Sequence, residues 1–400
     1  MVLQGLNYIA PILVWPYLMA VLGAEQFGRI SFAIAANQYL MMIVDFGFNF
    51  SATKKIAIAQ GNQQSINQIF SETLAAKLLL LPISLLILLV IAFIPQFALY
   101  RELLFVLFGM VVSSVFTYTW LFQGLGKIRI ISIVNCITKL SILPLTFFLV
   151  KSESDTLTAA AIIGSTYMMT AVLSVALTAR MHLATFTATT LKRIKSAIGD
   201  SMPVFVSIAA TSIYTALFVV ILAYFASPDE VGKYTAAEKL MRISCYLIWV
   251  PLSQAFFPKI SQLSQTDPHA AKRLTRRLYS VLCVFMLGVA AILFFYTEPL
   301  VMLLGESYAG IGDIAKILAF VPLFVTLGGV AAQLGLLAQG GETEKREYRN
   351  IYIIAAAIAI VGIFLLVPIW KAVGAAVAVL IVEIWVFAGM NYRYKKLKAK

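Results

Sequence analysis

Apolar stretches of roughly 20 residues recur from Val2 to Tyr392, separated by short polar breaks. Twelve can be counted: 3–21, 29–50, 70–94, 102–122, 128–150, 157–179, 203–225, 234–257, 277–297, 313–338, 350–369 and 372–392. A helix rises about 1.5 Å per residue, so each stretch is long enough to cross a hydrocarbon core of about 30 Å. The first two join through LGAEQFG, the third and fourth through IPQFALYRE. Only Pro368 to Lys371 separates the last two. The pattern predicts an all-α polytopic membrane protein with twelve transmembrane helices. Residues 1–21 lack a basic leader and run on into the multi-span pattern, so they read as a span and not as a signal peptide.

Composition strengthens this reading. The chain is 61% hydrophobic and only 12% charged, more apolar surface than a soluble core can hide. Its net charge of +13 is spread over the breaks. With both termini placed in the cytoplasm, the inside segments hold 21 Lys and Arg and the outside segments 5. That asymmetry predicts cytoplasmic termini, with membrane lipid headgroups as the partner of the charge and no nucleic-acid role. Cys136, Cys245 and Cys283 all fall within spans without a C-x-x-C spacing, and read as packing residues. His182 and His269 lie in loops and form no metal cluster with them.

The longest interior break, about 180–202, divides the spans into six and six. Six is even, so duplicated halves would share one membrane orientation about an axis along the normal. Faint echoes agree: span 2 ends in SATKK and span 8 in FFPK, while Gln123-Gly124 and Gln339-Gly340 each close a fourth span. The expected architecture is an N-terminal six-helix bundle over 1–183, a cytoplasmic linker over 184–202 and a C-terminal six-helix bundle over 203–400, with a central cavity.

Charges inside spans are the informative exceptions, because each needs a partner, a wet cavity or a changed protonation state. Lys139 is near the middle of span 5. Arg242 is near the middle of span 8, with Glu238 one turn away on the same face. Glu383 is central in span 12, and Lys77 and Asp45 sit toward the cytoplasmic ends of spans 3 and 2. Lys239 and Lys316 lie toward the outer side. The cations Lys139, Arg242, Lys77, Lys239 and Lys316 are candidates for binding an anionic substrate such as a phosphate group. Glu238 and Arg242 neutralising one another, and Lys77 and Lys316 snorkelling to headgroups, are the plainer alternatives. Asp45, Glu238 and Glu383 are candidates for proton or sodium coupling. Pro11, Pro16, Pro82, Pro144 and Pro322 interrupt spans, and Gly47, Gly328 and Gly329 add small-residue contacts, as suits a bundle that changes shape.

No G-x-x-x-x-G-K-[ST], H-E-x-x-H or G-x-S-x-G is present, and the loops are too short for a catalytic domain, so neither an enzyme nor a cofactor is expected. A channel filter is also missing. The ordered segments NYIAPILVWPYLMAVLGAEQFGRISFA (7–33), VDFGFNFSATKKIA (44–57), WLFQGLGKIR (120–129), YTAAEKLMR (234–242), PLSQAFFPKISQL (251–263), LLGESY (303–308) and AQGGETEK (338–345) carry a resemblance. The chain resembles the polysaccharide-repeat (O-antigen) flippases of the multidrug/oligosaccharidyl-lipid/polysaccharide exporter superfamily. It departs from the family pattern in having almost no residues ahead of span 1, and in Gly126 where an acidic residue is usual.

The resemblance implies a bacterial inner-membrane transporter for lipopolysaccharide biosynthesis. Its cargo would be an oligosaccharide repeat unit on undecaprenyl pyrophosphate, turned from the cytoplasmic to the periplasmic leaflet by alternating access. O-antigen polymerase and a chain-length regulator are the protein partners it implies. Lys139 and Arg242 would hold the pyrophosphate, and Tyr39, Trp120 and Trp249 are candidates to face the glycan. Two other readings remain: a cation-coupled exporter of small amphiphiles, and a flippase for another lipid-linked envelope glycan. The first would favour acidic and aromatic residues over the Lys and Arg seen here.

Overall fold

The computed structural model describes residues 2–297, 299 and 304–399. Lys400, counted among the inside cations, and Leu303 of LLGESY lie outside them. Among the described residues, nine helical stretches are long and apolar enough to cross a membrane. Two of these are double-length, 13–58 with 46 residues and 342–397 with 56. The protein is thus all-α and polytopic.

In chain order the helices are α1 (Val2–Asp45), α2 (Phe48–Ile58), α3 (Gln63–Phe93), α4 (Arg101–Phe116), α5 (Thr119–Gly124), α6 (Ile128–Leu140), α7 (Ile142–Leu149) and α8 (Thr156–Arg180). They continue as α9 (Leu191–Phe225), α10 (Pro228–Thr266), α11 (Pro268–Phe295), α12 (Gly312–Leu318), α13 (Val321–Gly329), a π-helix (Val330–Leu337) and α14 (Glu342–Ala399). Local chemistry sets many ends. Asn62 caps α3 by accepting from the Ser65 amide. Ser227 and Glu230 form a reciprocal capping box at α10, with Pro228 in the first turn where no amide partner is lost. Asp267 caps α11 through the Ala270 amide, again just ahead of a proline. α9 begins well before residue 203, so part of the expected linker is helical.

Both double-length stretches contain a break. α1 is interrupted at Gly23, where φ is 69°, a value that glycine alone adopts without strain. α14 is interrupted at Lys371, with φ 45°. The two limbs of α14 fold back on one another. A Cβ added to Gly362 would lie 3.2 Å from Ala378, and one added to Gly389 would lie 3.3 Å from Ile351. Near the limb ends, Arg393 and Glu347 pair at 3.0 Å.

By contact the chain divides into two compact units, Met1–Leu22 with Arg29–Ala209, and Gly23–Gly28 with Ala210–Lys400. In the first, α1, α4 and α8 form the core. The Asn37 amide donates to the Ala33 and Leu104 carbonyls, tying α1 to α4, and the Tyr118 amide donates to Ser174 on α8. In the second, Trp249, Met286, Leu327, Val330 and Leu334 join α10, α11, α13 and the π-helix. The outer surfaces are apolar: Leu86, Val90 and Phe93 are 63%, 67% and 66% exposed. Such faces are stable against lipid and not against water.

Candidate functional site

Each unit holds its own set of charged residues within the spans. In the first unit, α1 ends at Asp45 because Phe46 and Gly47 take left-handed conformations, φ 41° and 77°. The break turns the Asp45 carboxylate toward a pocket of about 210 Å³ that Lys139 also lines. Ser113 and Ser114 of α4, Asn135 of α6, and Thr166, Tyr167 and Thr170 of α8 contribute to the wall. Lys139 sits near the end of α6, where that helix gives way to α7. A 2.8 Å hydrogen bond between the Thr138 and Thr170 hydroxyls holds α6 against α8 at this level.

Lys77 stands behind the pocket. It is 1% exposed, and its ammonium donates to Asp45 Oδ1 at 2.7 Å and to the Ser114 carbonyl at 3.0 Å. It therefore does not snorkel to headgroups. It neutralises Asp45 and fixes one carboxylate oxygen, leaving the other for the pocket. A buried ammonium with two short acceptors is satisfied. Lys139 differs: among the described residues no carboxylate lies within ion-pair distance of it, and its side chain is exposed.

In the second unit, Glu238 and Arg242 share a face of α10 one turn apart. Arg242 donates from Nη2 and Nε to Glu238 Oε1 at 2.7 and 2.9 Å, and Glu238 is 8% exposed. Glu383 on α14 lies within electrostatic reach of Arg242. Lys239, next to Glu238 on α10, lies within electrostatic reach of both Glu238 and Arg242, and its ammonium is 5.9 Å from the Phe27 ring centroid. Lys316 is half-buried on α12. The structure therefore brings Asp45, Lys77 and Lys139 together in one unit, and Glu238, Arg242 and Glu383 together in the other. Lys239 adjoins the second group, and Lys316 joins neither.

The two tryptophans are packing residues. Trp120 is fully buried against Phe70 and Tyr118. Trp249 is 6% exposed and fills the space beside Gly329, where a Cβ would lie 2.7 Å from its ring. Tyr39 is half-buried. Sequence reasoning missed the hydroxyl and amide wall of the first pocket. A signal was available, since Thr166 and Thr170 are one turn apart and Ser113, Ser114 and Thr117 cluster on a single turn.

A model of the polysaccharide biosynthesis protein family matches residues 1–264, well over half of the chain. This chain belongs to that family. Within the multidrug/oligosaccharidyl-lipid/polysaccharide superfamily, the family member described here is similar to a "Putative O-antigen transporter" of Shigella dysenteriae. The two are 31% identical over 95% of this chain and 94% of the relative. An Escherichia coli (strain K12) protein of the same description is 28% identical over 96% of this chain and 92% of its own length. Among solved structures, the lipid II flippase MurJ in an inward closed conformation matches with TM-score 0.76. That match has 14% identity and covers 98% of this chain and 87% of MurJ. An inward-facing multidrug resistance MATE family transporter matches with TM-score 0.68 and 14% identity, covering 98% and 99%. These likenesses establish a shared fold. The family member is a transporter by classification, not a catalytic enzyme, and a multi-pass membrane protein.

Proposed function

We propose that this chain is a flippase for undecaprenyl-pyrophosphate-linked O-antigen repeat units, turning them from the cytoplasmic to the periplasmic leaflet of the inner membrane. The near whole-length match to an O-antigen transporter at 31% identity carries the reading. Polar sugars and a pyrophosphate lose their water on entering hydrocarbon, and a transporter must replace those partners. The polar pocket with Lys139 supplies such partners for sugar hydroxyls in an otherwise apolar bundle, which supports the reading.

The same proposal includes twelve spans in two six-helix bundles divided at 184–202, with both termini cytoplasmic. Breaking the double-length stretches at Gly23 and Lys371 and adding the apolar part of α9 supports the count. Lys139 and Arg242 are the cargo-binding cations. Lys77 serves through Asp45, and Lys239 and Lys316 are secondary. Asp45, Glu238 and Glu383 are the groups that an ion gradient would act on. O-antigen polymerase and the chain-length regulator are the partners that receive the product.

The test is leaflet transfer in reconstituted vesicles, with a labelled polyprenyl-pyrophosphoryl oligosaccharide loaded on one side. Protein-dependent equilibration is expected, with imposed pH and sodium gradients applied in turn. Transfer no faster than in protein-free vesicles would sink the flippase reading.

A further inference from the structure

The pocket of the first unit is unusual in the direction of its hydrogen bonds. Ser113 and Ser114 donate their hydroxyl protons to the Met110 and Val111 carbonyls, at 2.7 and 2.8 Å. Thr117 donates to the Ser113 carbonyl at 2.9 Å, Thr166 to Ile163 at 2.8 Å and Thr170 to Thr166 at 2.9 Å. A hydroxyl has one proton and two lone pairs. Ser113, Ser114, Thr117 and Thr166 have committed their protons to their own helices, a habit of Ser and Thr in apolar helices, while Thr170 also shares a hydrogen bond with the Thr138 hydroxyl in which either can donate. What they offer the pocket is acceptor oxygen. Asp45 adds another acceptor, because Lys77 holds only its Oδ1. Donors come from Lys139, from the amides of Asn49 and Asn135, which bring acceptor oxygens as well, and from the hydroxyls of Thr119 and Tyr167.

An acceptor-rich wall is a poor host for pyrophosphate, whose oxygens also accept. One ammonium does not answer several anionic oxygens when a carboxylate stands in the same wall. A sugar ring is the converse: each of its hydroxyls brings a proton to donate. Size gives a second constraint. The volume of about 210 Å³ equals the liquid share of about seven waters and falls below the ~300 Å³ of sites for drug-sized ligands. The space is of the order of one sugar ring, and the pocket is open to its surroundings.

We infer that this pocket is a monosaccharide subsite: it admits a single sugar ring of the cargo, with Asp45 and the back-bonded hydroxyls accepting from ring hydroxyls and Lys139 donating to an acceptor on the same ring. The pyrophosphate is held elsewhere. The inference rests on the flippase reading for its biological cargo, but binding to the pocket can be measured without transport.

The experiment uses full-length protein in nanodiscs, with Cys136, Cys245 and Cys283 replaced and a single reporter introduced by Thr119→Cys. Thr119 lines the pocket but is not one of the five back-bonded hydroxyls. Maleimide labelling of the reporter is followed while methyl glycosides of a hexose, an N-acetylhexosamine and a 6-deoxyhexose are added singly at tens of millimolar. Inorganic pyrophosphate is added in a parallel series. At least one glycoside is expected to slow labelling, with pyrophosphate much weaker. Thr166→Val, which keeps the shape and deletes an acceptor, should weaken glycoside protection about threefold to tenfold. Thr166→Ser should restore it. Protection by pyrophosphate equal to or better than by every glycoside overturns the subsite, and so does protection by none of them. Protection that Thr166→Val leaves unchanged removes the hydrogen-bond argument and overturns it too. Glycoside protection without leaflet transfer in vesicles would instead remove the flippase reading and leave the subsite standing.

Discussion

Lys139 and Lys77 carry the same charge, yet their surroundings assign them different work. Lys139 faces an open pocket with no carboxylate in ion-pair range among the described residues. Lys139→Ala is expected to leave membrane abundance near normal and to lower export about tenfold or more, as for loss of a charged hydrogen bond. Lys139→Arg should retain more of it. Complementation read beside protein abundance measures both. Lys77 is walled in and bonded to Asp45 at 2.7 Å. Removing it strands a carboxylate, so Lys77→Met is expected to lower stability by about 3–5 kcal/mol. Adding Asp45→Asn should recover most of that. Thermal unfolding of the four proteins of this cycle in detergent decides the matter, and additive losses would show that the pair is not coupled. The charges themselves were legible in the sequence because ionised groups are rare in apolar stretches. Their pairing was not, since Asp45 and Lys77 are distant in the chain and only the folded helices bring them together.

At the scale of elements, close approach of backbones is what fixes the packing. A Cβ at Gly232 would lie 1.7 Å from the Ala24 carbonyl oxygen, and one at Gly28 would lie 1.9 Å from that of Pro228. No rotamer relieves a clash with backbone. Gly232→Ala is expected to destabilise by about 1–3 kcal/mol through overpacking. Gly199→Ala, on an open face of α9 with nothing within 4 Å, should be neutral or stabilising by up to ~1 kcal/mol. Melting temperatures of the two variants provide the comparison, and an equal response would mean that the contact is not maintained. Hydrophobic runs reported the all-α polytopic character, because long apolar helices follow directly from burial in lipid. They did not report the early start of α9 or the π-helix at Val330–Leu337. Those depend on what each turn packs against, as with Trp249 filling the space beside Gly329. The polar wall was also overlooked, because Ser and Thr that bond their own helix pass as apolar in a hydropathy profile.

For the molecule as a whole, the proposed topology with cytoplasmic termini rests on the charge asymmetry of the loops. Single cysteines placed at 186 and at 269, in a background without the three native thiols, are expected to resist an impermeant maleimide in intact cells and to label after permeabilisation. Strong labelling of either from outside would reverse the arrangement. The hairpin of α14 then has a consequence for how the chain is made. Its limbs meet along their length and its tip carries Lys371, which pairs with Glu230 at 3.2 Å. In the proposed topology with both termini inside, this tip has to be pushed outward as a loop. A lysine travelling that way moves against an inside-negative voltage, about 2.3 kcal/mol per charge for each 100 mV. Apolar area in both limbs must supply that work when the hairpin inserts. Lowering the voltage with an ionophore during synthesis should speed insertion of this pair of limbs, and Lys371→Gln should remove that sensitivity.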